Sequence, residues 1–136
     1  MTKIHISANI LAEPKLVWEK YTNPTYITQW NFAHESWCCP SASNDLRVGG
    51  KYEARMEARD GSFGFDFWAI YDAVEPHTYL AYTMGDGRKA ELFFKAQDNN
   101  STLLEIHFDP ETENSIELQK QGWQAILDNF KRFVEG

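Results

Sequence analysis

Asp45-Leu46-Arg47-Val48-Gly49-Gly50-Lys51-Tyr52 closes a loop on paired glycines and then launches strict alternation, with Tyr52, Ala54, Met56 and Ala58 set against Lys51, Glu53, Arg55, Glu57 and Arg59. Alternation of apolar and charged residues with period two marks a strand that has one face on a core and one in water. The glycines form a backbone device for entering that strand. Asp60-Gly61 then supplies a turn.

The same pattern extends in both directions. Upstream, Ile4, Ile6, Ala8 and Ile10 alternate with Lys3, His5, Ser7 and Asn9, which predicts a first strand over Lys3 to Ile10. From Ser36 to Asp109, successive strands are separated by Gly49-Gly50, Asp60-Gly61, Glu75-Pro76-His77, Gly85-Asp86-Gly87 and Asp98-Asn99-Asn100. Strands joined by connections this short are antiparallel. Pro14 suits the first turn of a helix carrying Leu16, Val17 and Tyr21, and Asn23-Pro24 provides a cap and first-turn proline for a second. Residues Glu113 to Glu135 contain no proline and put Ile116, Lys120, Trp123, Leu127, Phe130 and Val134 on one stripe, broadened by Ile126 and Phe133. That spacing predicts a long amphipathic helix.

Strand, two short helices, several strands and a long helix pack naturally as an α+β fold: a curved antiparallel sheet wraps the closing helix and the small helices plug one end. At 136 residues the chain is long enough for one core, burying roughly 68% of its extended surface. With no repeat, linker or low-complexity run, one domain over residues 1–136 is expected.

Trp37-Cys38-Cys39-Pro40 and Asp60-Gly61 flank the glycine-led strand, and with it they resemble the signature region of the heat-shock-protein-90 ATPase activator homologue family. That family belongs to the START-like (SRPBCC) helix-grip superfamily. Further points of resemblance run in order along the chain: Ala12, Val17-Trp18, Tyr21-Thr22-Asn23-Pro24 and Gln29-Trp30 in the opening helices, Asp86-Gly87-Arg88 in a later hairpin, and Gly122-Trp123 in the closing helix. The resemblance implies the helix-grip fold, with a cavity between sheet and long helix. It also implies ligands of lipid, polyketide or flavonoid type and a tie to stress response.

Composition narrows the function classes. Nine Phe, six Tyr and five Trp make up 15% of the chain, a supply that either an aromatic core or an aromatic-lined chamber would use. A formal charge of −7 disfavours nucleic acid and anionic membrane surfaces as partners, since both call for clustered Lys and Arg. Apolar runs are short, and Met1-Thr2-Lys3-Ile4-His5 leads directly into the strand pattern, so a soluble cytoplasmic protein is expected. Adjacent Cys38 and Cys39 make a strain-free bridge improbable and are expected to be reduced thiols. The four histidines, His5, His34, His77 and His107, are scattered, so neither a metal nor another cofactor is predicted.

Strand phase nominates the chamber's lining. Taking the apolar phase as inward selects Tyr52, Ala54 and Met56; Phe63, Phe65, Phe67, Ala69 and Tyr71; Leu80, Tyr82 and Met84; Ala90, Leu92 and Phe94; and Leu104, Ile106 and Phe108. In the fourth strand Trp68, Ile70 and Val74 lie on the opposite phase, where a bulge would shift the register. The ligand-contact candidates are Trp30, Trp37, Tyr52, Met56, Phe65, Phe67, Tyr71, Tyr82, Leu92, Phe94, Trp123, Leu127 and Phe130. Trp123 follows Gly122, whose missing side chain would let a ligand or another backbone come close.

This inward set holds three phenols and no carboxylate, imidazole or amine, while Glu53, Arg55, Asp66, Asp72, Glu91, Glu105 and His107 fall outward. General acid–base chemistry needs a titrating group beside the reacting atoms, so binding is favoured over catalysis and no catalytic residue is assigned. The leading expectation is a binding protein for a hydrophobic small molecule. A co-chaperone-type interaction domain is the alternative implied by the family, although the chain resembles only the C-terminal-type domain of full-length activators. A cyclase-like enzyme using His34, Glu35, Gln119 or Lys120 is a further alternative, and the reading leaves a homodimer open.

Overall fold

A computed structural model describes residues 2–136; Met1, read above as part of the N-terminal approach to the first strand, lies outside the described residues. The chain folds as β1 (Ile4–Ile10), α1 (Pro14–Thr22), α2 (Pro24–Trp30), β2 (Trp37–Asn44), β3 (Lys51–Ala58), β4 (Gly64–Glu75), β5 (Tyr79–Met84), β6 (Lys89–Gln97), β7 (Ser101–Phe108) and α3 (Ile116–Glu135). The strands form one antiparallel seven-stranded sheet in the order β1-β7-β6-β5-β4-β3-β2. It curls around α3 in the α+β helix-grip arrangement that the element order implies. α3 packs against β1, while α2 covers β2 at the other edge. No helix among the described residues is long and apolar enough to cross a membrane.

Local chemistry sets the boundaries. Asn23 Oδ1 accepts a hydrogen bond from the Thr25 amide at 3.0 Å, and Pro24 occupies the first turn of α2, as the Asn-Pro pair requires. Ser115 Oγ caps α3 by accepting from the Leu118 amide at 3.1 Å, so the helix starts at Ile116 rather than at Glu113. Gly49 sits at φ +83°, and a Cβ on Gly50 would fall 2.0 Å from the Asp45 carbonyl oxygen. The pair also binds β4: the Gly49 amide donates to Tyr71 O at 2.9 Å and the Tyr71 amide to Gly50 O at 3.0 Å. Thus the glycines that open β3 also anchor the backbone of a tyrosine on the inner face.

Cross-strand register joins the predicted inward phases. Ile4 lies opposite Phe108 and Ile6 opposite Ile106; farther along the sheet, Ala54 lies opposite Phe67 and Tyr71 opposite Tyr82. β4 changes phase at an irregularity between Tyr71 and Ala73, after which Val74 packs against the core while Trp68, before it, remains 40% exposed. The inward assignment of Phe63 is corrected. It falls in the turn before β4 and is 61% exposed, because alternation holds only once the strand has begun.

The first turn of α3 also departs from the expected stripe. Ile116 is 54% exposed, whereas Gln119 is buried. The Gln119 side chain accepts from the Glu111 amide at 2.8 Å and donates to the carbonyls of Glu111 and Asn114 at 3.1 and 2.9 Å. Satisfying loop backbone outweighs burying an isoleucine there, since an unpaired buried peptide group is costly.

Candidate functional site

Between the β3–β5 part of the sheet and the middle of α3 lies a cavity of about 280 Å³. Tyr52, Met56, Phe65, Phe67, Tyr71, Leu80, Tyr82 and Ile106 line it from the strands, and Trp123, Ile126 and Leu127 from α3. Tyr21, Trp30 and Asn31 close the end formed by α1 and α2, and Arg88 enters from the β5–β6 hairpin. Interiors otherwise pack almost as densely as organic crystals, so a void of this size is a feature of the fold to be explained.

The aromatic rings meet mostly edge to face, which leaves faces and edges free for a guest. Tyr52 and Phe67 have centroids 5.9 Å apart at 62°, and Tyr71 and Tyr82 are 6.2 Å apart at 77°. Trp123 differs: it stacks on Phe108 at 3.9 Å and 11°, where the filled core gives way to the cavity. Offset stacking holds such a ring in place while leaving its other side available.

Several sequence candidates lie elsewhere. Phe94 packs edge-on against Trp18 of α1 at 5.2 Å, and Phe130 against Tyr21 and Trp30 at 5.0 and 4.8 Å. Leu92 is fully buried between its cross-strand neighbours Leu80 and Ile106. Leu92 and Phe94 have the inward phase of β6 and Phe130 lies on the inner stripe of α3, but close packing fills the space around all three. Trp37 stands at the start of β2 in an aromatic group with Phe63 and Phe65, at 5.9 and 6.2 Å, outside the lining. Only Phe65 of that group reaches the cavity, at its mouth.

Three lining residues outside the sequence-based candidates give the site polar character, Tyr21, Asn31 and Arg88, and Asn44, outside the lining, orients Tyr71. Asn31 Nδ2 donates to Tyr52 Oη at 3.2 Å. Tyr71 Oη donates to Asn44 Oδ1 at 2.8 Å, and Asn44 Nδ2 in turn donates to the Thr22 carbonyl at 2.7 Å. Arg88 Nε donates to Asp86 Oδ2 at 2.7 Å and Nη1 to the Asp109 carbonyl at 3.3 Å. The inward set therefore includes a cation after all. Its signal was present: Arg88 lies two residues before inward-facing Ala90, on the same phase, but in a hairpin rather than in the hydrophobic run.

Burial governs the electrostatics. Desolvation pushes the Tyr21, Tyr52, Tyr71 and Tyr82 phenols up from their ordinary acidity, and the charge of Arg88 partly opposes that rise at Tyr82. All four stay neutral near pH 7 and act as hydrogen-bonding groups. Cys39 is buried, and desolvation raises its thiol to about 11, so it is a packed thiol rather than a nucleophile. Of the groups considered for catalysis, His34 and Glu35 are exposed in the α2–β2 loop, where His34 Nδ1 pairs with Ser36 Oγ at 2.8 Å. Gln119 is committed to the loop before α3, and none of these residues or Lys120 lines the cavity.

Gly122 makes no close backbone approach and does not line the cavity; a Cβ built there meets nothing within 4 Å.

No curated protein matches the chain. A solution NMR structure of an AHSA1-like protein from Aeromonas hydrophila is similar at 40% identity and a TM-score of 0.88, over 96% of this chain and 92% of that one. Another solution structure, from Cytophaga hutchinsonii, shares 41% identity and a TM-score of 0.84, over 98% of this chain and 92% of that one. A crystal structure from Chromobacterium violaceum, at 21% identity and a TM-score of 0.87 over 100% of this chain and 99% of that one, shares the fold. The model of the family described as activator of Hsp90 ATPase homolog 1-like protein matches residues 11–135, and the chain belongs to that family.

Proposed function

We propose that the protein binds a compact, hydrophobic aromatic small molecule in the cavity between sheet and α3. The observation that carries this reading is the cavity itself: about 280 Å³ of unfilled space, walled by aromatic side chains with a few oriented polar groups among them. Such walls are typical of ligand pockets, because apolar area supplies affinity and sparse polar groups supply orientation. Its size narrows the broader lipid, polyketide and flavonoid range. An apolar cavity of roughly 150 Å³ holds benzene, so the space here suits one or two rings, and a long lipid chain would have to leave through the mouth beside Phe65.

Trp30 and Trp123 in the lining give the test its signal. Titrating one- and two-ring aromatic compounds should produce saturable, one-to-one quenching of tryptophan emission, with mutual competition among the compounds that bind. Absence of saturation across the whole panel would overturn the reading.

A further inference from the structure

The cavity's donors and acceptors are unevenly supplied, and the imbalance specifies one end of a ligand. Among the described residues, the Tyr21 and Tyr82 hydroxyls have no protein partner, and that of Tyr52 only accepts, from Asn31. Every fully enclosed side-chain nitrogen or oxygen among those residues does have a partner. The unpaired Tyr21 and Tyr82 oxygens must therefore meet the open space of the cavity, although the Tyr82 side chain as a whole is only 6% exposed. Three phenol protons are free to be donated there. A guest that filled the cavity without accepting from these hydroxyls would leave them buried and unpaired, which is costly, so a ligand that brings acceptors is favoured.

Arg88, in the β5–β6 hairpin, lies near one of these donors, Tyr82, whereas Tyr21 and Tyr52 stand at the end formed by α1 and α2. Tyr82 is the cross-strand neighbour of Ala90, and Arg88 lies two residues from Ala90 on the same face. The proximity is also felt electrostatically, since the Arg88 charge acts on the Tyr82 phenol. Arg88 is the one charged residue in the lining, and among the described residues its Nη2 has no protein partner. Asp86, which takes Nε, is half exposed and outside the lining. The lining thus combines a guanidinium with free phenol donors and no anion. An ammonium head would find no counter-charge there, and a carboxylate would find both charge and donors.

We infer that the ligand is a compact aromatic acid whose carboxylate lies against Arg88 and Tyr82, with its rings between Tyr52, Phe67 and Trp123. This rests on the cavity being the binding site proposed above. The test uses three two-ring probes of nearly equal size, naphthoate, naphthalenemethanol and naphthylmethylamine, titrated into the full chain at neutral pH. Naphthoate should bind about tenfold or more tighter than either neighbour. Arg88→Met should reduce that preference to about onefold, Arg88→Lys should keep part of it, and Tyr82→Phe should weaken naphthoate more than the amine. Comparing probes within one variant removes any effect of altered folding. If Arg88→Met does not fold, the wild-type ratios and Tyr82→Phe decide the matter. Equal binding of all three probes, a preference for the amine, or an acid preference that survives Arg88→Met would overturn this inference while leaving the cavity reading intact. Saturable binding of none of the three would overturn the cavity reading itself.

Discussion

The inner face of the sheet has two halves written in the same alternating code and used differently. In the half formed by β1 and β7, Ile4, Ile6, Leu104 and Phe108 lie in a packed core, with α3 over β1 and Trp123 stacked on Phe108. In the β3–β5 half, Tyr52, Met56, Phe67 and Tyr82 face the open cavity. The difference lies in what stands opposite each half. Aliphatic side chains with a helix close above them interlock and exclude space, whereas larger rings set edge to face around a gap keep it open. An inward apolar phase therefore identifies the core-facing side of a strand, but not whether that side is covered or hollow.

Emptying one position on each side of the boundary should have unequal effects. Phe130 is fully buried among Tyr21 and Trp30, and Phe130→Ala should cost about 3–5 kcal/mol, read as a large drop in the urea midpoint. Trp123 stacks on Phe108 with one side and borders the cavity with the other, so it has fewer neighbours to lose. Trp123→Ala should therefore cost less than the roughly 3–5 kcal/mol of a packed site while weakening ring binding at least several-fold. A full core-sized loss with unchanged binding would make Trp123 part of the filled half and move the boundary. The smallest expected effect is at Gly122, where an added methyl meets no atom within 4 Å. Gly122→Ala should raise stability by about 0.5–1 kcal/mol, because the helix interior favours alanine; a measured loss would show that the residue needs its missing side chain.

The legible part of the site was the part written in strand phase. Tyr52, Met56, Phe67, Tyr71 and Tyr82 follow from alternation, since a strand's two faces are fixed by its own backbone. Leu92 and Phe94 carry the same strand signal, and Phe130 the helix stripe, but close packing fills the space around them, and pattern alone could not separate them from the lining. Tyr21 and Asn31 come from α1 and from the residue after α2, whose placement over the sheet depends on distant contacts. The same distinction holds at the start of α3, where Gln119 displaces Ile116 from the interior because the loop at Glu111 needs its amide.

Local pattern suffices for the order and kind of the elements, the antiparallel pairing imposed by short turns, the capping of α2 by Asn23 and Pro24, and the inward faces of the strands. Each of these depends on interactions between residues close in the chain. Long-range packing sets the rest: the space between β3–β5 and α3 stays unfilled, Arg88 supplies its one cation, and among the described residues the Tyr21 and Tyr82 hydroxyls meet that space without protein partners. Those properties arise where segments far apart in sequence approach one another, and the volume left between them is a property of the packing that no local pattern encodes.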